Sequence, residues 1–254
     1  MHVRIGPWDV LLVVVVSIQA TVLAYLPQPR WKAFVLSLPI PFTVATLAVG
    51  RPVGATNVLG LLLLFLYAQG VRVLHQRLRV PIVPAIALSA LGYCALGALL
   101  APVLPNTDDA FWLVSVGMYA LAVGLVLKLP DRSEPSYRSL LPVWLKLPVI
   151  MGVILFLVVI KGFLQGFTTV FPMVGVVATY EGRYSLWTIG RQIPTLMVAM
   201  IPMMVVCRLA QAQIGLGPAL MVSWVVFLSI LVPLTRLMWS RTRTPTTSRS
   251  QPSL

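Results

Sequence analysis

The chain has 254 residues, of which 59% are hydrophobic and 10% charged, whereas a soluble domain is about half apolar and a quarter charged. Several continuous apolar runs reach the roughly 20 residues that cross a bilayer as a helix, so the composition excludes a soluble globule and predicts helices in lipid. The formal net charge is +13. Because the charges fall in short connections and at the C-terminus, they favour membrane topology and lipid headgroups over nucleic acid.

Nine apolar segments, taken in chain order, are predicted to span a membrane. They cover residues 8–25, 31–49, 55–74, 82–104, 111–127, 140–160, 164–180, 186–206 and 214–239. Loops rich in Lys and Arg are retained in the cytosol, so the basic tail 241–254, which we expect to be disordered, is placed there. Nine crossings then put the N-terminus and the acidic loop with Asp108 and Asp109 outside, together with Arg51 and Arg208.

Two stretches of the chain resemble each other when Pro41 is aligned with Pro172. Gly50-Arg51 then falls within a residue of Gly182-Arg183, and residues 71–76 resemble residues 206–211. We therefore predict an all-α polytopic membrane protein built from two inverted-topology four-helix repeats. The repeats cover 1–105 and 139–240, joined by a linker helix and cytoplasmic loop over 106–138. Inverted repeats are a recurring plan of secondary transporters, with binding sites near the repeat interface.

Prolines inside predicted spans two and seven remove helical hydrogen bonds and leave carbonyl groups open. Solutes are often bound at such broken helices; alternatively, the kinks are repaired by Thr hydroxyls or by neighbouring helices. The candidate pathway residues are Pro41, Thr43, Thr46 and Arg51 in the first unit, and Thr168, Thr169, Pro172, Glu181, Arg183, Arg191 and Gln192 in the second.

The charged candidates of the second unit are open to two interpretations. An Arg at mid-membrane costs about 2.5–3.5 kcal/mol on insertion scales. Arg191 should therefore face a partner, with Glu181 the nearest candidate, or reach the interface. The group is either a gate that attracts anions or an anchor that follows the positive-inside rule.

The sequence carries no enzymatic signature. It lacks the Walker A, HExxH and GxSxG motifs and has no pair of carboxylates within one span, so we predict neither an enzyme nor a cofactor. Cys94 and Cys207 lie in apolar segments without a CxxC motif or a nearby His, which argues against a metal site or a disulfide.

A family resemblance rests on three short motifs. They are Leu-Lys-Leu-Pro at 145–148, Gly-Phe-Thr-Thr-Val-Phe-Pro at 166–172 and Glu-Gly-Arg at 181–183. Together they resemble the GlpM family of small bacterial inner-membrane proteins, here as two tandem units. The resemblance covers roughly 145–234 and more weakly 31–104, where Pro-Phe at 41–42 replaces Phe-Pro. It implies a multi-pass protein of the bacterial inner membrane with about four helices in each unit.

The leading functional hypothesis is a small-solute transporter or channel. Its pathway would lie between the Pro-interrupted helices two and seven, and its partners would be the bilayer and a small solute or ion. The alternative is a non-transporting scaffold or accessory subunit for envelope-polymer or lipid metabolism. Whether the chain forms a homo-oligomer is left open by the sequence.

Overall fold

The computed structural model describes residues 6–26, 28–130, 148, 151–152, 164 and 166–241. Ten α-helices are assigned within these ranges, where no strand occurs. They are α1 (Pro7–Tyr25), α2 (Pro29–Ser37), α3 (Ile40–Val49), α4 (Ala55–Arg72), α5 (Ile82–Leu100), α6 (Asp108–Lys128), α7 (Phe167–Val170), α8 (Met173–Glu181), α9 (Leu186–Ile214) and α10 (Leu216–Arg241). Most of the predicted span 140–160, part of the linker 106–138 and the tail beyond 241 lie outside the described residues.

Five helical segments are long and apolar enough to cross a membrane: 55–77, 82–100, 108–128, 186–214 and 216–237. Their outer faces expose large apolar side chains, for example Leu113 and Leu127 on α6 and Met221 on α10, all more than 70% exposed. Water would penalise such faces, whereas lipid tails accept them. The chain is therefore an all-α, multi-pass membrane protein.

The predicted spans two and seven are each divided into two helices by a proline step. α2 and α3 are separated at Leu38-Pro39, and α7 and α8 at Phe171-Pro172. Proline lacks an N–H and forces the preceding residue towards an extended conformation. Accordingly, Leu38 has φ −68° and ψ 128°, and Phe171 has φ −55° and ψ 139°.

The two broken helices pack against each other in opposite directions. α2 contacts α8, and α3 contacts α7, so the N-terminal half of one broken helix meets the C-terminal half of the other. The long helices α4 and α9 pack on each other; α9 also packs on both broken helices, and α4 packs on α7. This arrangement brings the two proline breaks to the interior of the bundle.

Side-chain contacts at both ends fix the direction of α9 relative to α6. At its start, the Trp187 indole donates a hydrogen bond to the carbonyl of Pro130, just beyond α6, at 3.1 Å. Near its end, Arg208 pairs with Asp108 at the start of α6, with 2.6 Å between nitrogen and oxygen. The two helices are thus antiparallel.

The end of α9 differs from the prediction. The helix continues to Ile214, about two turns past the predicted end at residue 206. It then turns at Gly215, with φ +80°, directly into α10. Arg208 therefore lies on the last turns of α9 rather than in a connecting loop.

Candidate functional site

Both proline breaks line one cavity of about 90 Å³, called here the central cavity. Its walls come from the two broken helices together with α4 and α9. The lining includes Pro39, Pro41, Tyr67, Thr169, Pro172 and Thr179. The described residues that line it include no charged side chain, so the interior is mainly apolar, with a few hydroxyl groups.

At the first break, side chains bond two carbonyl groups: that of Val35 lacks the helical N–H of Pro39, whereas that of Pro39 also accepts the N–H of Thr43 at 2.9 Å. The Thr43 hydroxyl donates to the carbonyl of Pro39 at 2.8 Å and accepts a hydrogen bond from the Trp224 indole at 2.8 Å. The Gln19 amide on α1 donates to the carbonyl of Val35, also at 2.8 Å. The bond from Gln19 therefore repairs the break from within the protein, while the Thr43 hydroxyl adds a bond to a carbonyl that its helix already satisfies.

The second break is repaired from α5. The Tyr93 hydroxyl donates to the carbonyl of Phe167 at 2.8 Å, and its ring stands edge-on to that of Phe171 with 5.1 Å between centroids. The Thr169 hydroxyl donates to the carbonyl of Gly166 at 2.7 Å. The carbonyls named here are therefore satisfied by side chains, as in the repaired-kink interpretation of the sequence.

A second cavity of about 280 Å³ lies at the turn between α3 and α4, and we call it the Arg51 cavity. Arg51 is exposed and lines it together with Asn57, Asn106 and Gly166. Thr169 lines this cavity and the central cavity alike. The side chain of Thr169 thus stands between the two spaces.

Thr169 is held by a hydrogen bond from Asn57, in the first turn of α4. The Asn57 amide nitrogen donates to the Thr169 hydroxyl at 2.9 Å and to the carbonyl of Gly166 at 3.3 Å, and its oxygen accepts the N–H of Gly54 at 2.8 Å. All three contacts are buried. This amide link ties α4 to the segment just before the second break.

A matching amide link lies at the other break. The Gln192 amide on α9 donates to the Ser37 hydroxyl at the end of α2, at 2.7 Å. Gln192 follows Asn57 by 135 residues, the same separation as between Val71 and Val206. The amide of Asn57 on α4 therefore holds a hydroxyl next to the second proline break, and the amide of Gln192 on α9 holds one next to the first.

The wall of the Arg51 cavity is fastened by the end of α9. Arg208 donates to the carbonyl of Val53 at 2.9 Å as well as pairing with Asp108. The Gln211 side-chain oxygen accepts the N–H of Val53 at 3.0 Å. These contacts hold the turn between α3 and α4, which starts at Gly50 in the left-handed region with φ +66°.

The structure brings only some of the predicted pathway residues together. Pro41, Thr169 and Pro172 line the central cavity, and Arg51 and Thr169 line the Arg51 cavity. The remaining candidates line neither of these cavities: Thr43, Thr46, Thr168, Glu181, Arg183, Arg191 and Gln192. Thr46 instead donates to its own helix at Phe42.

The charged candidates around the end of α8 occupy different environments. Glu181 is fully buried at the last position of the helix. Arg183 lies over the rings of Tyr180 and Tyr184, with 5.4 and 5.1 Å from its guanidinium carbon to the ring centroids. Arg191 is half-buried on α9. Of these three residues, Glu181 fits the interpretation as a surface anchor least, because it is fully buried.

Two tyrosines of the site, Tyr67 and Tyr93, were not among the residues predicted from the sequence. Tyr67 lies in the apolar run of α4, where it resembles a packing residue. In the structure its ring and hydroxyl belong to the wall of the central cavity, whose other described aromatic residues are phenylalanines. The sequence feature that could have identified Tyr67 is its position as a lone tyrosine inside a leucine-rich span. Within the described ranges, no group of three or more His, Cys, Asp or Glu side chains could hold a metal ion.

Comparison of the chain with protein-family models, with curated proteins and with solved structures finds no match. The GlpM-like resemblance therefore stays a prediction, and the functional argument depends on the geometry of the two cavities.

Proposed function

We propose that this protein is a small-solute transporter or channel whose pathway runs between the two proline-broken helices. The observation that carries the proposal is the central cavity, which both breaks line and which meets the Arg51 cavity at Thr169. Broken helices at the centre of a helical bundle are a common way to build a solute site in a membrane. The exposed Arg51 cavity would serve as the entrance on one side.

The proposed architecture is nine spans arranged as two inverted four-helix units, with the GlpM-like units in tandem. Three features support it: the antiparallel packing of the broken helices, the amide links of Asn57 and Gln192, and their separation of 135 residues. In such an arrangement the pathway would lie on the pseudo-twofold axis between the units.

The proposed orientation follows the distribution of charge. The end of α4 with the turn that follows it, the end of α6 and the α8–α9 turn carry basic residues, including Arg72, Arg77, Lys128 and Arg183. The Arg51 cavity lies at the opposite ends of α4 and α6, beside Asp108. By the positive-inside rule the basic side and the C-terminus would be cytoplasmic, in a bacterial inner membrane.

The direct test is solute flux through purified protein in liposomes. Stopped-flow light scattering would follow the volume of the vesicles after they are mixed with glycerol, urea or neutral amino acids, and ion-sensitive dyes would follow salts. We expect at least one solute to equilibrate several times faster than in empty vesicles. Equal rates with and without protein across the panel would refute the proposal and favour the non-transporting scaffold.

A pair of threonine variants tests the path through Thr169. Thr169→Val keeps the size of the side chain but removes the hydroxyl that Asn57 holds between the two cavities, so the flux of a polar solute should fall about threefold or more. Thr46→Val is the matched control, because its hydroxyl bonds its own helix and lines neither cavity. Indistinguishable flux in the two variants would place the pathway elsewhere.

A further inference from the structure

The lining of the central cavity restricts what it can hold. Its walls are hydrocarbon, proline rings and hydroxyl groups, and no Lys, Arg, Asp, Glu or His is among the described lining residues. An ion that leaves water needs a counter-charge or several strong dipoles in return. The carbonyls of Val35 and Phe167, which the breaks free, are not open for that purpose, because Gln19 and Tyr93 already bond them.

One polar group in the cavity remains available. The Tyr67 side chain is 4% exposed, and its hydroxyl makes no hydrogen bond within the described part of the chain. It lies beside Thr179, but the two hydroxyls do not meet hydrogen-bonding geometry, and Thr179 donates to the carbonyl of Gly175 at 2.6 Å. Buried hydroxyls are nearly always hydrogen-bonded, so one that is not calls for a partner from outside the chain.

The cavity volume sets the size of that partner. A space of about 90 Å³ has room for roughly six to nine water-sized groups at 10–15 Å³ each. Glycerol or urea matches this size, whereas a sugar or a nucleotide exceeds it.

We propose that the central cavity binds a small uncharged molecule that hydrogen-bonds the Tyr67 hydroxyl. This inference rests on the proposed function, since the bound molecule would be the solute in transit. The apolar walls exclude ions, and Tyr67 selects for hydroxyl or amide groups. The site is thus a neutral-solute site rather than an anion or cation site.

The first experiment measures the access of charged and uncharged reagents, without requiring transport. Tyr67→Cys is made in a background in which Cys94 and Cys207 are replaced by alanine. The protein in membranes is treated with uncharged methyl methanethiosulfonate, with its anionic sulfonatoethyl analogue and with its cationic trimethylammonium analogue. We expect the uncharged reagent to react at least tenfold faster than either charged one, after normalisation to a free thiol.

Leu63→Cys in the same background is the matched control, because Leu63 is buried on the same helix but does not line the cavity. It should react slowly with all three reagents. Equal reactivity of the Tyr67→Cys variant towards charged and uncharged reagents would overturn the proposal. A Tyr67→Cys thiol as unreactive as the thiol of the Leu63→Cys control would overturn it too.

The second experiment is flux of glycerol and urea through proteoliposomes that contain Tyr67→Phe. Loss of one hydroxyl should slow glycerol or urea at least threefold, whereas Tyr119→Phe on the exposed face of α6 should leave the rate unchanged. Melting of Tyr67→Phe in detergent should be unchanged or raised, which shows that the variant folds.

The two experiments separate the site from the transporter. Flux through the wild-type protein with an unaltered Tyr67→Phe rate would refute the site and keep the transporter. Absent wild-type flux, together with charge-selective labelling of the Tyr67→Cys variant, would refute the transporter and keep the site.

Discussion

The two broken helices use the same proline step but are completed differently. At the first break, the repair comes from Gln19 on α1. At the second, it comes from Tyr93 on α5. Pro194, Pro202 and Pro233 lie inside continuous helices, so a proline alone does not break a membrane helix. The contrast shows that, where a break forms, the neighbouring helices decide which side chains satisfy its carbonyls.

The helix ends beyond the breaks also differ. Gly50 caps α3 in the left-handed region with φ +66°, whereas Gly182 caps α8 at φ −102° and ψ 25°. A Cβ on Gly182 would lie 3.0 Å from the carbonyl oxygen of Ala178, while one on Gly50 meets no atom within 4 Å. The two Gly-Arg corners that align in sequence therefore need glycine for different physical reasons: conformation at Gly50, space at Gly182.

The largest difference in stability is expected between variants that remove one or the other of the two amide links. Asn57→Ala should lower the free energy of unfolding by about 2–3 kcal/mol, because the buried Gly54 N–H loses its acceptor and Thr169 loses a donor. Gln192→Ala removes one half-buried bond and should cost about 1 kcal/mol or less. Unfolding titrations in mixed detergent micelles would measure both; equal losses would show that the two links contribute alike.

Removing the donor at one break or at the other should change the free energy of unfolding by amounts that differ less. Tyr93→Phe should cost about 1–2 kcal/mol, because the buried Phe167 carbonyl loses the Tyr93 donor. Gln19→Leu should cost less than about 1 kcal/mol: the Val35 carbonyl keeps the N–H of Leu38 at 3.3 Å, and a buried amide oxygen that makes no hydrogen bond in the described structure is removed with it. The same unfolding titration applies, and a larger loss for Gln19→Leu would reverse this ranking of the two repairs.

Substitutions of Gly50 should destabilise the protein less, and the loss should depend on how well the new residue tolerates a positive φ. Gly50→Ala should cost about 1 kcal/mol, since an alanine is strained in the left-handed region, whereas Gly50→Asn should cost roughly half as much. At Gly182, Ala and Asn should both be tolerated poorly because space is the limit. Thermal unfolding of the four variants checks the pattern, and equal costs of Ala and Asn at Gly50 would contradict it.

The smallest effect is expected at the pair of Arg208 with Asp108. Asp108 is 75% exposed, so water and salt screen the pair, and Asp108→Asn should change stability by less than about 1 kcal/mol. Arg208→Gln should cost more, because it also loses the bond to the Val53 carbonyl. Unfolding measured at low and at high salt distinguishes the two contributions: the Asp108→Asn effect should shrink with salt, and most of the Arg208→Gln effect should remain.

The order of the amino acids was sufficient to predict the solvent of this protein and to mark Pro39 and Pro172 as candidate breaks. Continuous apolar runs allow only structures that satisfy their own backbone in lipid, a feature that the sequence displays directly. Which prolines break a helix was not determined by the sequence alone, because Pro194, Pro202 and Pro233 lie inside continuous helices. The extension of α9 past residue 206 escaped prediction because polar residues such as Arg208 and Gln211, which look like a loop, are satisfied by contacts to Val53 and Asp108.

Which polar groups face a cavity became known only from the packing of the helices. Thr43 and Thr169 are both close to a proline in sequence, yet Thr43 bonds a carbonyl of its own helix and lines neither cavity, whereas Thr169 lines both. Tyr67 and Tyr93 are both single tyrosines in apolar spans, but only Tyr93 meets a carbonyl at hydrogen-bonding distance. Whether a hydroxyl is hydrogen-bonded within the protein or left available depends on helices distant in the chain, so it is decided only when those helices pack.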